Sequence, residues 1–426
     1  MKPGVALKIF LTGAHGGYLP LKAPMGGGAT IFECMREVWA DRPDVELEML
    51  SPGPAYPALR QFVQQHPEIG ALPPVQTHPA SLGYREYASF SRVFERAVTE
   101  CLLARHAEPS SWVVTHDISE GPQAERLRKH GYRVATVVHV DVVDFIHRLY
   151  LRGWVAPEVL ASMWRFACRT GIATLAPDIL KLVFEKQEQA YRHSNLVLVP
   201  SSFMRETIRR CYVGDPEPRV EVVEWGAPSL KPWAPPPEGS LDGWRKRWNI
   251  RDGDFVILSL CRISPEKGIE RLLQALGVLE RIEPGLAERC HAVIAGGAAY
   301  MDGPKCLRRL QRLAGRLRKA RVSFTGHVTG EEKTCAFAAA DLYALLSHHE
   351  SFGLTLCEAL AAGLPAVISA EVARTREPSP DLTVTSGRAH ELAGILMEKI
   401  RKPRSKAAVA PPLFNLAGER ILRLLA

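Results

Sequence analysis

Two glutamates, Glu350 and Glu358, stand eight residues apart and flank the tripeptide Phe352-Gly353-Leu354. If the whole stretch were helical, a rise of about 1.5 Å per residue would separate them by about 12 Å. Glycoside hydrolases need their two carboxyl groups about 5–9.5 Å apart, so acid and nucleophile roles on one bond are not expected. The spacing favours carboxylates that bind different ends of one extended ligand, with backbone N–H groups at the helix start as further donors. The alternative is an acid favoured by the helix dipole and a second, solvent-facing acid.

Two cations, Arg262 and Lys267, are five residues apart in a loop that precedes a predicted helix. Together with the helix N-terminus they would form an anion site suited to a diphosphate. Residues 1–230 carry 25 basic and 25 acidic side chains and residues 231–426 carry 29 and 21, so the whole net charge of +8 lies in the second half. That half is the expected binder of an anionic ligand. The competing interpretation is a solvated surface pair.

The first half offers a glycine triplet, Gly26 to Gly28, before a predicted helix, and His139 at the end of a predicted strand. The glycines suit the close approach of a phosphate, but a flexible turn explains them equally well. His139 is either a core histidine or a functional one at the crevice side, and His116-Asp117 is interpreted in the same way with less weight. No Gly-x-Gly-x-x-Gly motif follows the first strand, which argues against a dinucleotide oxidoreductase.

All these residues follow short apolar segments that alternate with amphipathic helices, the pattern of parallel α/β sheets. Strands are predicted at 7–11, 112–115, 134–140 and 196–200, and at 255–261, 291–295, 322–325, 342–347 and 366–369. In open α/β sheets the loops after the strand carboxyl ends line the ligand crevice, so the candidate residues are expected there. The proline-rich stretch from Ala227 to Ser240 predicts a stiff linker between two domains.

Composition excludes several classes of protein. The 426 residues are 46% apolar and 23% charged, which is ordinary globular usage and not that of a disordered or fibrous chain. Without an apolar run of 18 residues, a transmembrane helix is not expected, and the first residues read as a strand and not as a signal peptide. Nine cysteines without metal-binding spacing predict reduced thiols and a cytoplasmic location.

The segment from Lys305 to Arg321 carries eight basic residues and no acid. It is read as the solvated face of a sheet-covering helix. The alternative is peripheral contact with an anionic membrane, at the inner face of which the protein would then lie. Nucleic-acid binding is not expected, because no interleaving of aromatic and basic residues and no reader motif is present.

Taken together, the loops resemble those of glycosyltransferase family 4, whose members are retaining, use nucleotide sugars and have the GT-B fold. The resemblance is strongest in SLCRISPEKGIERLLQAL (259–276) and in the segment 322–369, where Glu350 to Glu358 match the Glu-x7-Glu signature including its Phe-Gly-Leu. It is weaker in TVVH (136–139), NLVLVPSSFMRE (195–206) and VEVVEWGAP (220–228). After Ser369 the segment AEVARTREPSPDL departs from the family's usual Gly-Gly-containing loop.

The resemblance implies two Rossmann-like parallel-sheet domains that face each other across a cleft. The acceptor-binding domain would span residues 1–230, the donor domain 231–410 and a helix returning to the first domain 411–426. The implied catalytic residues are Glu350, His139, Arg262 and Lys267. The implied donor-binding residues are Gly27, Gly28, Arg262, Lys267, Gly326, His327, Val328, Glu350, Phe352, Gly353, Leu354 and Glu358.

In this interpretation Arg262 and Lys267 hold the donor diphosphate, Glu350 faces the sugar and Glu358 bonds the ribose. The expected function is retaining transfer of a sugar from a nucleotide-diphospho-sugar to an acceptor hydroxyl by front-face displacement. No cofactor or metal is expected, because the two cations neutralise the leaving group. Two alternatives remain. One is other GT-B chemistry, a nucleotide-sugar epimerase or a phosphorolytic enzyme, and the other is a non-catalytic nucleotide-sugar-binding partner.

Overall fold

The structure, a computed structural model, describes residues 7–18, 26–116, 120–212, 217–298, 302–402 and 408–426. Asp117, one of the predicted residues, lies outside them. The chain forms two compact units. The first contains the described residues up to Trp225 and those from Phe414 onward, and the second contains those from Gly226 to Leu413.

The first unit is built on a six-stranded parallel sheet whose central strands are almost wholly apolar and buried. The strand order is β2-β1-β3-β4-β5-β6. Burial on both faces is what continuous apolar strands of a parallel sheet require, since helices cover both sides. The strands are β1 (Leu7–Thr12), β2 (Val45–Leu50), β3 (Ser111–Thr115), β4 (Arg133–Val137), β5 (Leu196–Val199) and β6 (Arg219–Val222).

Eight α-helices of the first unit connect these strands in the described residues. They are α1 (Gly27–Trp39), α2 (Ala58–Gln65), α3 (Tyr84–Leu103), α4 (Ala124–Lys129), α5 (Val142–Leu149), α6 (Pro157–Arg169), α7 (Asp178–His193) and α8 (Ser202–Cys211). Three short 3₁₀ helices lie at Pro67–Ile69, Pro79–Ser81 and Ile172–Leu175.

The second unit repeats the plan with the strand order β12-β11-β10-β7-β8-β9. Its strands are β7 (Phe255–Leu260), β8 (Cys290–Ala295), β9 (Arg321–Gly326), β10 (Leu342–Leu345), β11 (Ala366–Ser369) and β12 (Leu382–Thr385). Its helices are α9 (Ser240–Arg247), α10 (Ile269–Ile282), α11 (Pro284–Glu288), α12 (Gly303–Ala314), α13 (Gly330–Ala339), α14 (Leu354–Ala361), α15 (Ala370–Ala373) and α16 (Ala389–Arg401), with a 3₁₀ turn at Pro265–Lys267.

The last helix, α17 (Phe414–Leu425), belongs to the first unit and packs on α1. The Trp39 indole N–H donates to the carbonyl oxygen of Gly418 at 3.1 Å. A Cβ at Gly418 would lie 2.9 Å from a methyl carbon of Val38, so a glycine allows this close approach. Arg42 pairs with Glu419 at 2.7 Å at the edge of the contact.

The predicted α/β class is confirmed, with two parallel six-stranded sheets. Two predicted strands are too long by more than one residue: 342–347 ends at Leu345, and 134–140 ends at Val137. The chain leaves the sheet there because the Asp141 carboxylate accepts bonds from the backbone N–H groups of Val143 and Asp144 and so starts α5. Among the described residues, none of the helices combines the length and hydropathy needed to cross a bilayer.

Candidate active site

The loop after β7 carries Arg262 and Lys267 and ends at Gly268, which has φ +60°. A Cβ at this position would lie 2.1 Å from the carbonyl oxygen of Leu346, so only glycine fits. The backbone N–H of His348 donates to the carbonyl oxygen of Glu266 at 2.7 Å. Because β7 and β10 are neighbours, this loop and the one after β10 meet at the carboxyl edge of the sheet.

Lys267 and Glu350 form the central ion pair of this edge, with Nζ and Oε2 2.8 Å apart. The Ser347 hydroxyl donates to the same carboxylate oxygen at 3.1 Å. Both charged side chains are 13% exposed. Burial opposes ionisation of each, but the partner's charge and the neighbouring charges and hydrogen bonds together outweigh it, so the pKa of Glu350 is lowered and that of Lys267 is raised. The pair is therefore charged at neutral pH.

Arg262 lies beside an acid as well. Its guanidinium is 3.7 Å from the Glu266 carboxylate, which also accepts a bond from the Ser264 hydroxyl at 2.5 Å. The loops therefore present two cations and two carboxylates, and not the isolated dication that the sequence suggested. A polyanion would meet cations that are already oriented by acids.

The turn that opens α14 is shaped by Gly353, whose φ is +77°. Phe352 before it is buried. The Arg376 guanidinium lies over the Phe352 ring, 4.1 Å from its centroid, and donates to the carbonyl oxygens of Phe352 at 2.6 Å and Gly353 at 2.9 Å. These contacts fix the turn, so the first N–H groups of α14, beginning with Leu354, have a defined direction.

Arg376 was missed by the sequence analysis. It belongs to the segment after Ser369 that departs from the family pattern, and nothing in its local sequence connects it with a turn 23 residues earlier. The structure shows that this segment supports the turn at Phe352 and Gly353. Glu371 of the same segment pairs with Arg271 at 3.3 Å, and Arg271 also donates to the carbonyl oxygen of Leu346 at 3.0 Å.

Glu358 lies on α14, and its carboxylate, 15% exposed, pairs with Lys333 of α13. Glu350 and Glu358 thus have different cationic partners, Lys267 and Lys333. Lys333 is a second residue that the sequence analysis missed. No spacing rule connects it with Glu358, because the contact depends on how α13 packs.

The residues predicted to lie near the nucleotide base, Gly326 to Val328, begin at the last residue of β9. Gly326 is exposed with φ +75°, and His327 is exposed beside it. The side chain of Val328 packs into the core of the second unit. Only the backbone of Val328 can therefore face a ligand.

The first unit brings His139 together with His116. Their rings are joined by a 2.8 Å contact between His139 Nε2 and His116 Nδ1. Burial, then the neighbouring His139, holds the pKa of His116 well below its ordinary value, and the backbone of Gly28 acts in the opposite direction. Gly27 and Gly28 are the first two residues of α1, where backbone N–H groups lack helical partners. His116, which the sequence favoured less than His139, thus interacts with both His139 and Gly28.

Known proteins share sequence with the segment that carries most of these residues. Residues 242–377 match the family model described as glycosyl transferases group 1. The matched residues all lie in the second unit. The D-inositol 3-phosphate glycosyltransferase of Salinispora arenicola is 34% identical over 163 residues, which are 37% of this chain and 36% of that protein. The aligned stretch thus spans about a third of the curated relative, and it confirms the resemblance.

Solved structures match over nearly the whole chain. The sucrose-phosphate synthase of Thermosynechococcus elongatus superposes with a TM-score of 0.66 at 19% identity, covering 98% of this chain and 94% of that one. Anabaena HepE, solved with UDP and glucose, superposes with a TM-score of 0.64 at 17% identity, covering 99% of each chain. At this identity the likeness shows the fold, and it confirms the predicted GT-B class. The roles predicted for individual site residues remain predictions.

Proposed function

We propose that the protein is a retaining glycosyltransferase of family 4, with an acceptor domain in the first unit and a donor domain in the second. It would move a sugar from a nucleotide-diphospho-sugar to an acceptor hydroxyl. The observation that carries the proposal is the buried Lys267–Glu350 pair at the carboxyl edge of a sheet whose sequence matches group 1 glycosyl transferases.

In the proposed reaction, the bond between the sugar's anomeric carbon and the β-phosphate oxygen breaks, and negative charge develops on the phosphate. Lys267 uses one of its three N–H donors for Glu350, so the ammonium can stabilise the departing phosphate together with Arg262. The acceptor hydroxyl forms the new bond on the same face of the sugar, and its proton passes to the departing phosphate oxygen. Glu350 would lie against the sugar, where positive charge develops. His139 would bind a sugar hydroxyl.

The rest of the donor would bind along the same edge. The N–H groups at the start of α14, Leu354 first, would meet the phosphate and the sugar. Glu358 would accept bonds from the ribose hydroxyls, and the backbone from Gly326 to Val328 would lie near the base. Gly27 and Gly28 would approach the phosphate. The proposal includes no metal, since the two cations supply the positive charge.

We also propose a cytoplasmic location. All nine cysteines are free thiols and eight of them are buried, as expected in a reducing compartment. The comparison with HepE, which was solved with UDP, suggests a uridine nucleotide as the first donor to test.

The test is a thermal-shift panel of UDP, GDP and ADP and their glucose conjugates, followed by product analysis with the stabilising donor. Transfer predicts a glycoside with the donor's anomeric configuration when acceptor alcohols are present. A changed sugar without acceptor would indicate epimerisation, and a sugar phosphate formed with inorganic phosphate would indicate phosphorolysis. Donor binding without any product would indicate a non-catalytic partner, and an inverted glycoside would contradict the retaining mechanism.

A further inference from the structure

The exposed apolar side chains are concentrated in one part of the first unit. Nine of the fifteen exposed large apolar side chains among the described residues lie between residues 140 and 180. Most of these surround α6 and the 3₁₀ helix after it. We call the following set the α6 surface: Trp154, Val159, Met163, Phe166, Ile172 and Leu175.

Helix α6 is apolar on two faces. Its inner face, with Ala161 and Trp164, packs into the core, where the Trp164 ring stacks on Phe184 at 4.8 Å. Its outer face carries Met163 at 58% exposure and Phe166 at 63%. A surface helix of a water-soluble unit normally turns polar residues outward, so an apolar outer face indicates a second apolar environment.

The side chains of the α6 surface project singly into the solvent. Trp154, before α6, is 88% exposed, and Leu175, after it, is 86% exposed. Side chains that project this far suit a fluid phase that closes around them, and tryptophan in particular favours the interface between water and lipid.

The charged side chains beside the α6 surface are mainly basic. From residue 145 to 178 the exposed ones are Arg152, Arg169 and Asp178. Asp178 is paired with Lys181 at 3.7 Å, and Glu158 is half-buried. Arg152 has φ +49°, a conformation that a non-glycine residue adopts at some energetic cost. Anionic headgroups complement the exposed Arg152 and Arg169.

We propose that the α6 surface binds a lipid bilayer that carries anionic headgroups. The apolar side chains enter the headgroup boundary, and Arg152 and Arg169 contact the headgroups. The surface does not depend on transferase activity, so its test and that of the proposed function fail independently.

The α6 surface is a different segment from the basic one, Lys305 to Arg321, for which the sequence suggested membrane contact. On α12 the side chain of Leu310 is buried and that of Leu307 packs against the core of the second unit. Leu317, just beyond the helix, packs against the same core. That segment therefore offers charge without exposed leucines, which supports its interpretation as a solvated face.

The experiment is co-sedimentation of the full chain with extruded vesicles of phosphatidylcholine alone or with a quarter of phosphatidylglycerol. We expect binding to the anionic vesicles, reduced at least about tenfold in the variant Met163→Ser/Phe166→Ser. Neutralisation in Arg152→Gln/Arg169→Gln should reduce it by about fivefold per arginine. The matched control, Val384→Ser/Leu416→Ser, removes equally exposed apolar side chains elsewhere and should bind like the wild type. Unchanged melting temperatures verify folding.

Three results would overturn the proposal. The first is a wild type that stays in the supernatant with both vesicle types. The second is binding that Met163→Ser/Phe166→Ser leaves intact and that Arg312→Glu/Arg316→Glu removes, which would assign it to the basic segment. The third is a wild-type dimer in sedimentation equilibrium that Met163→Ser/Phe166→Ser dissociates, which would assign the α6 surface to a second copy.

Discussion

A double-mutant cycle on Lys267 and Glu350 separates catalysis from stability. The single variants are Lys267→Met and Glu350→Gln, and the double variant carries both. Each single change leaves a buried charge without its partner, which costs about 3–5 kcal/mol for a fully buried pair. Since both side chains are 13% exposed, we expect about 2–3 kcal/mol. That loss would lower the melting temperature by about 4–12 °C.

The double variant removes both charges, so its stability should return to nearly that of the wild type. Its activity should not return. If Lys267 stabilises the departing phosphate, each single variant and the double variant lose about 10²–10³-fold in turnover. The measurements are thermal unfolding and the rate of nucleoside diphosphate release. A double variant that regains both stability and turnover would show that the pair is only structural, and the reasoning would be refuted.

The pH of these measurements can be chosen from the pKa shifts. The lowered pKa of Glu350 gives stability that is present above its ordinary value of 4.5 and is lost as pH falls through the folded-state pKa. The raised pKa of Lys267 gives stability that is present below 10.5 and is lost as pH rises through the folded-state pKa. Between about pH 5 and 10 the contribution of the pair is constant, so the cycle at pH 7.5 compares fully charged pairs.

Three further perturbations test the surroundings of the site. Arg376→Lys keeps the charge but loses the stacking on Phe352 and the bonds to the carbonyl oxygens. Calorimetry should therefore show about tenfold weaker binding of the most stabilising nucleoside diphosphate. The control Arg374→Lys, at an exposed neighbouring position, should leave that binding unchanged. Gly268→Ala should lower the free energy of unfolding, measured with denaturant, by at least about 2 kcal/mol. The control Gly394→Ala on α16, with open space around it, should raise that free energy by up to about 1 kcal/mol. Equal effects of the two changes would contradict the clash at Leu346. Burial, then the charge of Arg321, lowers the pKa of His291 to about 4. The free energy of unfolding of the wild type should therefore fall by about 2 kcal/mol more between pH 7 and pH 5 than that of His291→Gln. Equal decreases in the two proteins would contradict this.

The sequence predicted the strands that carry the site because those strands are buried on both faces. β11 was predicted with its observed bounds, and β7 and β8 to within a residue. The strands it missed, β2, β6 and β12, lie at sheet edges. Their sequences, VELEML, RVEV and LTVT, mix charged or polar residues with apolar ones, because edge strands are only partly covered. A continuous apolar run indicates a central strand because such a strand is buried on both faces. Edge strands lack the run because they are only partly covered.

Within the site, the residues that the sequence identified are those fixed by local geometry. Gly353 and Glu350 occur in one continuous motif, and Arg262 and Lys267 occur in one loop. Arg376 reaches the site from the segment after α15, and Lys333 reaches it from α13, so their contacts follow from how those elements pack. Side chains placed by tertiary packing leave no periodic signal in one sequence.

The two units hold their candidate residues by opposite electrostatics. In the second unit Lys267 and Glu350 are both charged, and each shifts the pKa of the other so that the charge persists. In the first unit burial keeps His116 neutral, and the 2.8 Å contact with His139 has room for a single proton between the two nitrogens. Burial of His116 therefore opposes its protonation, so at neutral pH its ring can donate or accept a hydrogen bond but carries no positive charge. The candidate residues of the second unit are therefore held by fixed charges, whereas those of the first unit include a buried, uncharged imidazole.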